Sequence, residues 1–143
     1  MIISGFPGIG KSHFFRKCKD LDIIVNDSDS SYFDKSEFPQ NYIKHLTELS
    51  KEQTKSFKPF YILASSHKEV REALIESGLD FKVIVPDISL KDEYLARYKE
   101  RGSPEGFQKL IGDNFETWIN EIISDKRLDV VVLSKGQYLS DVI

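Results

Sequence analysis

The sequence predicts an α/β protein whose parallel sheet is covered by helices on both faces. Three observations predict it. Five short apolar runs, at 1–4, 22–25, 60–64, 82–85 and 129–133, have strand length. They show little alternation, as expected of strands buried on both faces. Between them, apolar residues recur at helical spacing, so strand and helix alternate along the chain. The 143 residues suit one domain, 1–143, long enough to bury a core.

The first strand, Met1–Ser4, stops at Gly5. A helix follows over Lys11–Asp20, with Phe14, Phe15 and Cys18 on one face. Asp22–Val25 is the second strand, ending in the polar run Asn26–Ser31. Pro39 suits the first turn of a helix carrying Tyr42, Ile43 and Leu46 or Leu49. Phe60–Ala64 is the third strand. Ser66 is placed to cap the helix bearing Val70, Leu74 and Ile75, which stops at Gly78. Lys82–Val85 is the fourth strand, broken by Pro86, and Leu90–Arg101 is a helix closed by Gly102. Ser103-Pro104 reads as an N-cap and a first helical residue. The helix after it carries Phe107, Leu110, Ile111, Phe115, Trp118, Ile119 and Ile122, the strongest amphipathic pattern in the chain, with Trp118 expected in the core. Asp129–Leu133 is the last strand.

Twenty basic residues face 23 acidic ones, a net charge of -3, so no global basic excess points to DNA. Cys18 is the one cysteine, which excludes an intramolecular disulfide and suits a small buried hydrophobe. No apolar run reaches the ~20 residues of a membrane span. Lys11 interrupts the apolar start, so no leader is read there. The expectation is a cytoplasmic protein (host cytoplasm if viral) with no membrane partner.

Gly5-Phe-Pro-Gly-Ile-Gly-Lys-Ser12 matches the phosphate-loop pattern G-x-x-x-x-G-K-[ST] in full, between a predicted strand and a predicted helix. Glycines let the backbone bend around phosphate oxygens, and the amides of Gly8, Gly10 and Lys11 and the helix N-terminus supply positive charge. The Lys11 ammonium reaches the β- and γ-phosphates, and the Ser12 hydroxyl ligates Mg²⁺. Gly5, Phe6, Pro7, Gly8, Ile9, Gly10, Lys11, Ser12 and the adjoining His13 are therefore the candidate binding residues for ATP or GTP with Mg²⁺.

With proline third, the loop resembles that of adenylate-kinase-type enzymes, polynucleotide kinases and zeta-toxin kinases. The resemblance implies a three-layer P-loop NTPase fold with a five-stranded parallel sheet of order 2-3-1-4-5. Val25-Asn-Asp-Ser-Asp-Ser30 resembles the acidic segment after the second strand of the zeta-toxin type. Arg97 and Arg101 resemble an arginine-bearing lid, placed at about 90–104. Nearly the whole chain also resembles small stand-alone ATP-binding P-loop proteins of phages and bacteria. Shared landmarks are Ser66-His-Lys-Glu-Val-Arg71, Tyr94-x-x-Arg97-x-x-x-Arg101-Gly102 and Trp118-x-x-x-Ile122.

Asp27 and Asp29 follow the second strand, at the sheet edge where open α/β sheets bind ligands. One is a candidate base for an acceptor hydroxyl; the other, Asp27 in particular, is a candidate Mg²⁺ ligand through water. The zeta-toxin resemblance makes Asp29 the better base. The alternative is an Asx turn or a helix cap. Arg97 and Arg101, four residues apart on one helix face, suit a phosphoryl group in transfer; the alternative is pairing with Glu93 and Glu100. Arg71 either points at the cleft or pairs with Glu69 or Glu72, and His67 follows the third strand. That strand ends in Ser65-Ser66 and supplies no acid for Mg²⁺. Ser134–Gln137 reads as a turn, with packing against the nucleotide base as the alternative. The expected activity is γ-phosphoryl transfer to a small nucleotide-like acceptor, with nucleic-acid ends less favoured and the 30–58 segment shaping the acceptor site. The competing expectation is a nucleotide-binding switch or weak NTPase acting through a protein partner.

Overall fold

The computed structural model describes residues 1–28 and 33–143. Strands β1 (Ile2–Gly5), β2 (Ile24–Asp27), β3 (Phe60–Ser65), β4 (Phe81–Pro86) and β5 (Asp129–Leu133) form one parallel sheet of order β2-β3-β1-β4-β5. The expected sheet and order are both observed. Helices α1 (Lys11–Cys18), α2 (Gln40–Lys55), α3 (Lys68–Ser77), α4 (Lys91–Glu100) and α5 (Glu105–Ser124) connect the strands. A short 3₁₀ turn, Leu139–Asp141, follows β5.

Alternate residues of the buried strands feed two apolar clusters. Ile2, Ile62 and Ala64 pack with Tyr42, Leu46 and Leu49 of α2 and with Val70 and Leu74 of α3. Ile3, Leu63, Val83 and Val85 join Phe14 and Cys18 of α1, Tyr94 and Tyr98 of α4, and Ile111, Phe115 and Ile119 of α5. Cys18 is thus the buried hydrophobe its helical position suggested.

Several boundaries differ from the sequence reading, each for a local reason. Strand β2 begins two residues late, at Ile24, whose amide bonds Pro59 O, while Asp22 stays in the turn as an ion pair with Lys58 at 2.7 Å. The strand therefore takes in Asn26 and Asp27, which the sequence placed after it. Helix α1 ends at Cys18, because Lys19 N–H bonds Arg16 O and tightens the last turn. His67, not Ser66, is the N-cap of α3; the Ser66 carbonyl instead accepts from Arg71 Nε at 3.0 Å. Pro104, expected as the first helical residue, is instead the N-cap of α5 with an extended ψ of 145°, so the helix begins one residue later, and the Ser103 hydroxyl accepts from Arg101 Nε.

Candidate functional site

The loop from β1 to α1 closes on glycines in the left-handed region, with φ of 88° at Gly8 and 98° at Gly10. Space is as limiting as conformation. A Cβ on Gly8 would lie 3.0 Å from Tyr98 Cε1, and one on Gly10 would lie 3.2 Å from Tyr138 Cδ1. Phe6 and Ile9 are buried in the core, so these two loop residues offer a ligand only their backbone and anchor the loop through their side chains. Gly10 caps α1 and, having no side chain, makes no side-chain hydrogen bond to the first turn of that helix. Lys11 Nζ donates to Gly5 O at 2.9 Å, arching over the loop from inside.

A polar cleft of about 490 Å³ lies over this loop. Pro7, Gly8, Gly10, Lys11, Ser12 and His13 line it from the loop, Asp27 and Ser28 from the end of β2, Ser65 and His67 from the end of β3, and Arg97 and Arg101 from α4. The structure thus brings Pro7, Gly8, Gly10, Lys11, Ser12, His13, Asp27, Arg97 and Arg101 of the sequence-predicted residues to one cleft, but not Gly5, Phe6, Ile9 or Arg71, and Asp29 lies outside the described residues. Arg16 joins them unforeseen.

Each flank of the cleft is held differently. On the β2 side, the Tyr42 hydroxyl donates to Ser28 O at 2.6 Å and accepts from Ser65 N–H at 3.2 Å, tying α2 to two strand ends. Ser28 Oγ donates to Asn26 Oδ1 at 2.8 Å and lies 3.1 Å from His45 Nε2. On the α4 side, the Tyr98 hydroxyl donates to Pro7 O at 2.7 Å, and Arg97 Nη1 donates to Gly8 O at 2.8 Å. Burial raises the Tyr98 hydroxyl pKa well above the phenolic range, so it remains a donor. The Arg97 guanidinium lies between the rings of Tyr94 and Tyr138, 4.3 and 4.5 Å from their centroids, and pairs with Glu93 at 3.0 Å. Arg101 is exposed, bonded to the Ser103 hydroxyl at 3.1 Å and stacked on Tyr98 at 5.0 Å.

The two arginines therefore differ. Arg97 shapes the loop; Arg101 keeps most of its donors for the cleft. Tyr94 and Tyr98 are fully buried in the core cluster, so swinging α4 away would expose two large rings. Each would cost about 1.5–3 kcal/mol if it behaves like other large apolar side chains. Of the segment 90–104 expected as a lid, α4 is held to the core by these rings, whereas Arg101 and Gly102, whose φ is 76°, are exposed. Sequence reasoning named Tyr94 only as a landmark and missed Tyr98 and Tyr138. The spacing of Tyr94 and Tyr98, one helical turn apart and one turn from the two arginines, was the available signal.

Fit to a nucleotide and Mg²⁺ rests on the donors present. The loop offers positive-φ glycines, the N-terminal amides of α1 and a lysine, as a polyphosphate requires. No cluster of three or more His, Cys, Asp or Glu side chains forms a metal cage among the described residues. Mg²⁺ needs none beside phosphates, since it keeps waters and takes one or two protein oxygens. Ser12 and Asp27 on the cleft wall carry side-chain oxygens that would fit that need. Strand β3 ends in Ser65, whose buried hydroxyl has no partner, so no acid comes from there.

No protein-family model matches the chain, and no curated protein matches it in sequence. Among solved structures, the tunicamycin resistance protein of Deinococcus radiodurans is similar with a TM-score of 0.59 at 17% identity, covering 92% of this chain and 84% of that one. That likeness shows the fold. A gluconokinase from Sinorhizobium meliloti 1021 aligns over 98% of this chain and 84% of its own at 15% identity, with a TM-score of 0.46, too loose to carry an argument. No helix among the described residues is long and apolar enough to cross a membrane.

Proposed function

We propose that this protein is a P-loop phosphotransferase that moves the γ-phosphoryl group of ATP, or GTP, to a hydroxyl or phosphate oxygen of a small nucleotide-like acceptor. The observation that carries the reading is the convergence of Lys11, Ser12, Asp27 and Arg101 on one cleft over a glycine-shaped loop. An acceptor oxygen attacks the γ-phosphorus while the bond to the β,γ-bridging oxygen breaks, and the electron pair leaves with the nucleoside diphosphate. The acceptor proton passes to a carboxylate, Asp27 or Asp29. Lys11, the loop amides and Arg101 stabilise the charge that spreads over the phosphoryl oxygens. Mg²⁺, held by Ser12 and through water by Asp27, would neutralise β- and γ-phosphate oxygens. Arg97 acts on the reaction by holding Gly8 in place.

The test is transfer of labelled γ-phosphate from ATP over a panel of nucleosides, nucleotides, sugar nucleotides and oligonucleotide ends, with Lys11→Ala as the control. Label on an acceptor with the native protein and none with the variant is the expected result. Binding and slow hydrolysis without transfer to any acceptor would favour a second reading, a nucleotide-dependent switch acting through a protein partner. The serine at the end of β3, where an acid would serve Mg²⁺, favours that second reading.

A further inference from the structure

A second cavity, of about 340 Å³, opens between α3 and α5 directly beneath the phosphate loop. Its walls are mostly apolar and come from Phe107, Leu110, Trp118 and Ile122 of α5. Leu110 is 54% exposed, and Trp118 is only partly buried, so this aromatic face of α5 is not closed by the protein's own packing. The sequence reading placed Trp118 in the core; it packs against the core on one side and lines this cavity on the other.

Two polar groups in the cavity are incompletely satisfied. The Arg71 side chain is 7% exposed, yet its guanidinium makes one hydrogen bond, Nε to Ser66 O at 3.0 Å, and one long ion pair, to Glu121 at 3.9 Å. Five donors in a buried fork call for more than that, and a buried cation left short of partners is costly. Burial accordingly lowers its pKa. The Ser65 hydroxyl, also on the wall, is buried with no partner. Among the described residues of the wall, Lys11, Lys68 and Arg71 outnumber the carboxylate Glu121, and although Glu72 and Asp125 also act on Arg71, its open donors suit an anion.

The cavity and the polar cleft share Pro7, Lys11, Ser65, His67 and Phe107. Lys11 is the residue that reaches the β- and γ-phosphates. His13 and Arg16 line only the polar cleft. The cavity thus meets the cleft at Lys11.

Building on the phosphotransferase reading, we propose that this cavity is the acceptor site, and that the acceptor is a hydroxylated small molecule with a flat, largely apolar ring body and one anionic group. The ring lies against Trp118 and Phe107, the anion, a phosphate or a carboxylate, takes the open donors of Arg71, and the reacting oxygen lies at Ser65 beside Lys11. The acceptor site is then built by the β3–α3 turn and α5 rather than by the 30–58 segment.

Trp118 is the only tryptophan, which makes its emission a direct report on the cavity. The full chain, saturated with ADP and Mg²⁺, is titrated with a nucleoside 5′-monophosphate, the same nucleoside without phosphate, a hydroxybenzoate and inorganic phosphate. A saturable emission change is expected with the monophosphate or the hydroxybenzoate, the tighter of the two identifying the anion. The nucleoside or phosphate alone should bind at least about tenfold more weakly, the loss of one charge-assisted contact. Leu110→Glu, at an exposed position on the rim, should abolish the response, while Ile123→Glu, exposed on the same helix outside the cavity, should leave it intact. Arg71→Lys should keep part of the discrimination for anions and Arg71→Met should lose it. An emission that no probe alters, or a response that survives Leu110→Glu, overturns the proposal. Label transfer with an unchanged acceptor KM in Leu110→Glu overturns the site while leaving the phosphotransferase reading in place. A titrating Trp118 with no label transferred to any acceptor overturns that reading, and the acceptor role with it.

Discussion

The two flanks of the phosphate loop solve the same problem with different chemistry. The α4 flank uses aromatic mass: Tyr94, Tyr98 and Tyr138 fix the directions of one hydroxyl and one guanidinium, which grip the carbonyls of Pro7 and Gly8. The β2 flank uses a relay of small polar contacts: Tyr42 bridges Ser28 and Ser65, and Ser28 reaches Asn26 and His45. Rings that are buried resist displacement through lost apolar area. A hydrogen-bond relay resists it through the cost of stranding its members. The α4 flank therefore sets the shape of the loop, and the β2 flank sets where the carboxylate at the end of the strand stands. Residues that serve the first should show themselves in stability and nucleotide affinity, and residues at the tip of the second in turnover.

The largest effect is expected at that tip. Asp27→Asn should lower kcat by roughly 10²–10⁴-fold, and little change in ATP affinity beside that loss is the signature of a group that accepts a proton in the transition state. Single-turnover transfer and calorimetric ATP binding, measured on the same preparation, check it. Equal losses in binding and turnover would assign Asp27 to Mg²⁺ alone and pass the base role to Asp29.

Next come the two arginines, which the comparison separates. Arg101→Ala should cut kcat by about 10²-fold or more, as expected for a donor that meets developing charge, and leave the melting temperature unchanged. Arg97→Ala should instead destabilise the fold by about 1–3 kcal/mol, through a lost charged hydrogen bond and two cation–π contacts, and weaken nucleotide binding. Denaturant melts alongside kinetics distinguish them. If both variants behave alike, the division between loop-shaping and cleft-facing roles fails.

These roles could be read only in part from the sequence. The phosphate loop was legible because its chemistry demands residue types at fixed spacing, and the sheet because buried strands are apolar runs. The order of its strands came through resemblance and was then observed. Arg97 and Arg101 looked equivalent because helical spacing places them on one face but says nothing of what meets that face. Tyr138, which completes the Arg97 sandwich, arrives from beyond β5, and no local pattern announces a partner 41 residues away. The α5 face read as uniformly core because amphipathic spacing records apolar character and not whether a neighbour covers it. Ser66 and Ser103 missed their capping roles because each is drawn into a contact with an arginine, at Arg71 and Arg101.

A smaller pair of effects weighs the flanks directly. Tyr42→Phe strands a carbonyl and an amide, Ser28 O and Ser65 N–H, and should cost about 1–3 kcal/mol for the groups left unpaired. Tyr98→Phe strands only Pro7 O, which is half-buried and open to water, and should cost less, about 0.5–1.5 kcal/mol. Urea unfolding of the two variants gives the order. A Tyr98→Phe loss exceeding that of Tyr42→Phe would mean that the aromatic flank, too, depends chiefly on its hydrogen bond.

The smallest effect belongs to a network remote from both flanks, and it tests whether either of them is being misread as general stability. Arg127 donates to Asp125 at 2.8 Å and to Glu72 at 2.6 Å, joining α3 to the turn before β5. Its hydrogen bonds hold the Asp125 carboxyl down at about 2, and they hold Glu72 below its ordinary value as well. A carboxylate with a depressed folded pKa stabilises the fold fully above its unfolded pKa and loses that contribution as pH falls through the folded one. Thermal stability should therefore decline between about pH 4 and pH 2, and Asp125→Asn should flatten part of that decline without removing it. Asp34 and Asp87, depressed by bonds to Ser36 and Ser89, keep the remainder. Because the network is surface-exposed, salt should weaken it, and at neutral pH the variant should lose little. Melting curves from pH 2 to pH 7 for the native protein and the variant supply the measurement, with ATP affinity at neutral pH as the companion readout. An unchanged affinity alongside an altered acid limb separates this network from the loop. A fall in affinity would mean that the turn before β5 communicates with the phosphate site, and that the two flanks are not the only elements holding it in shape.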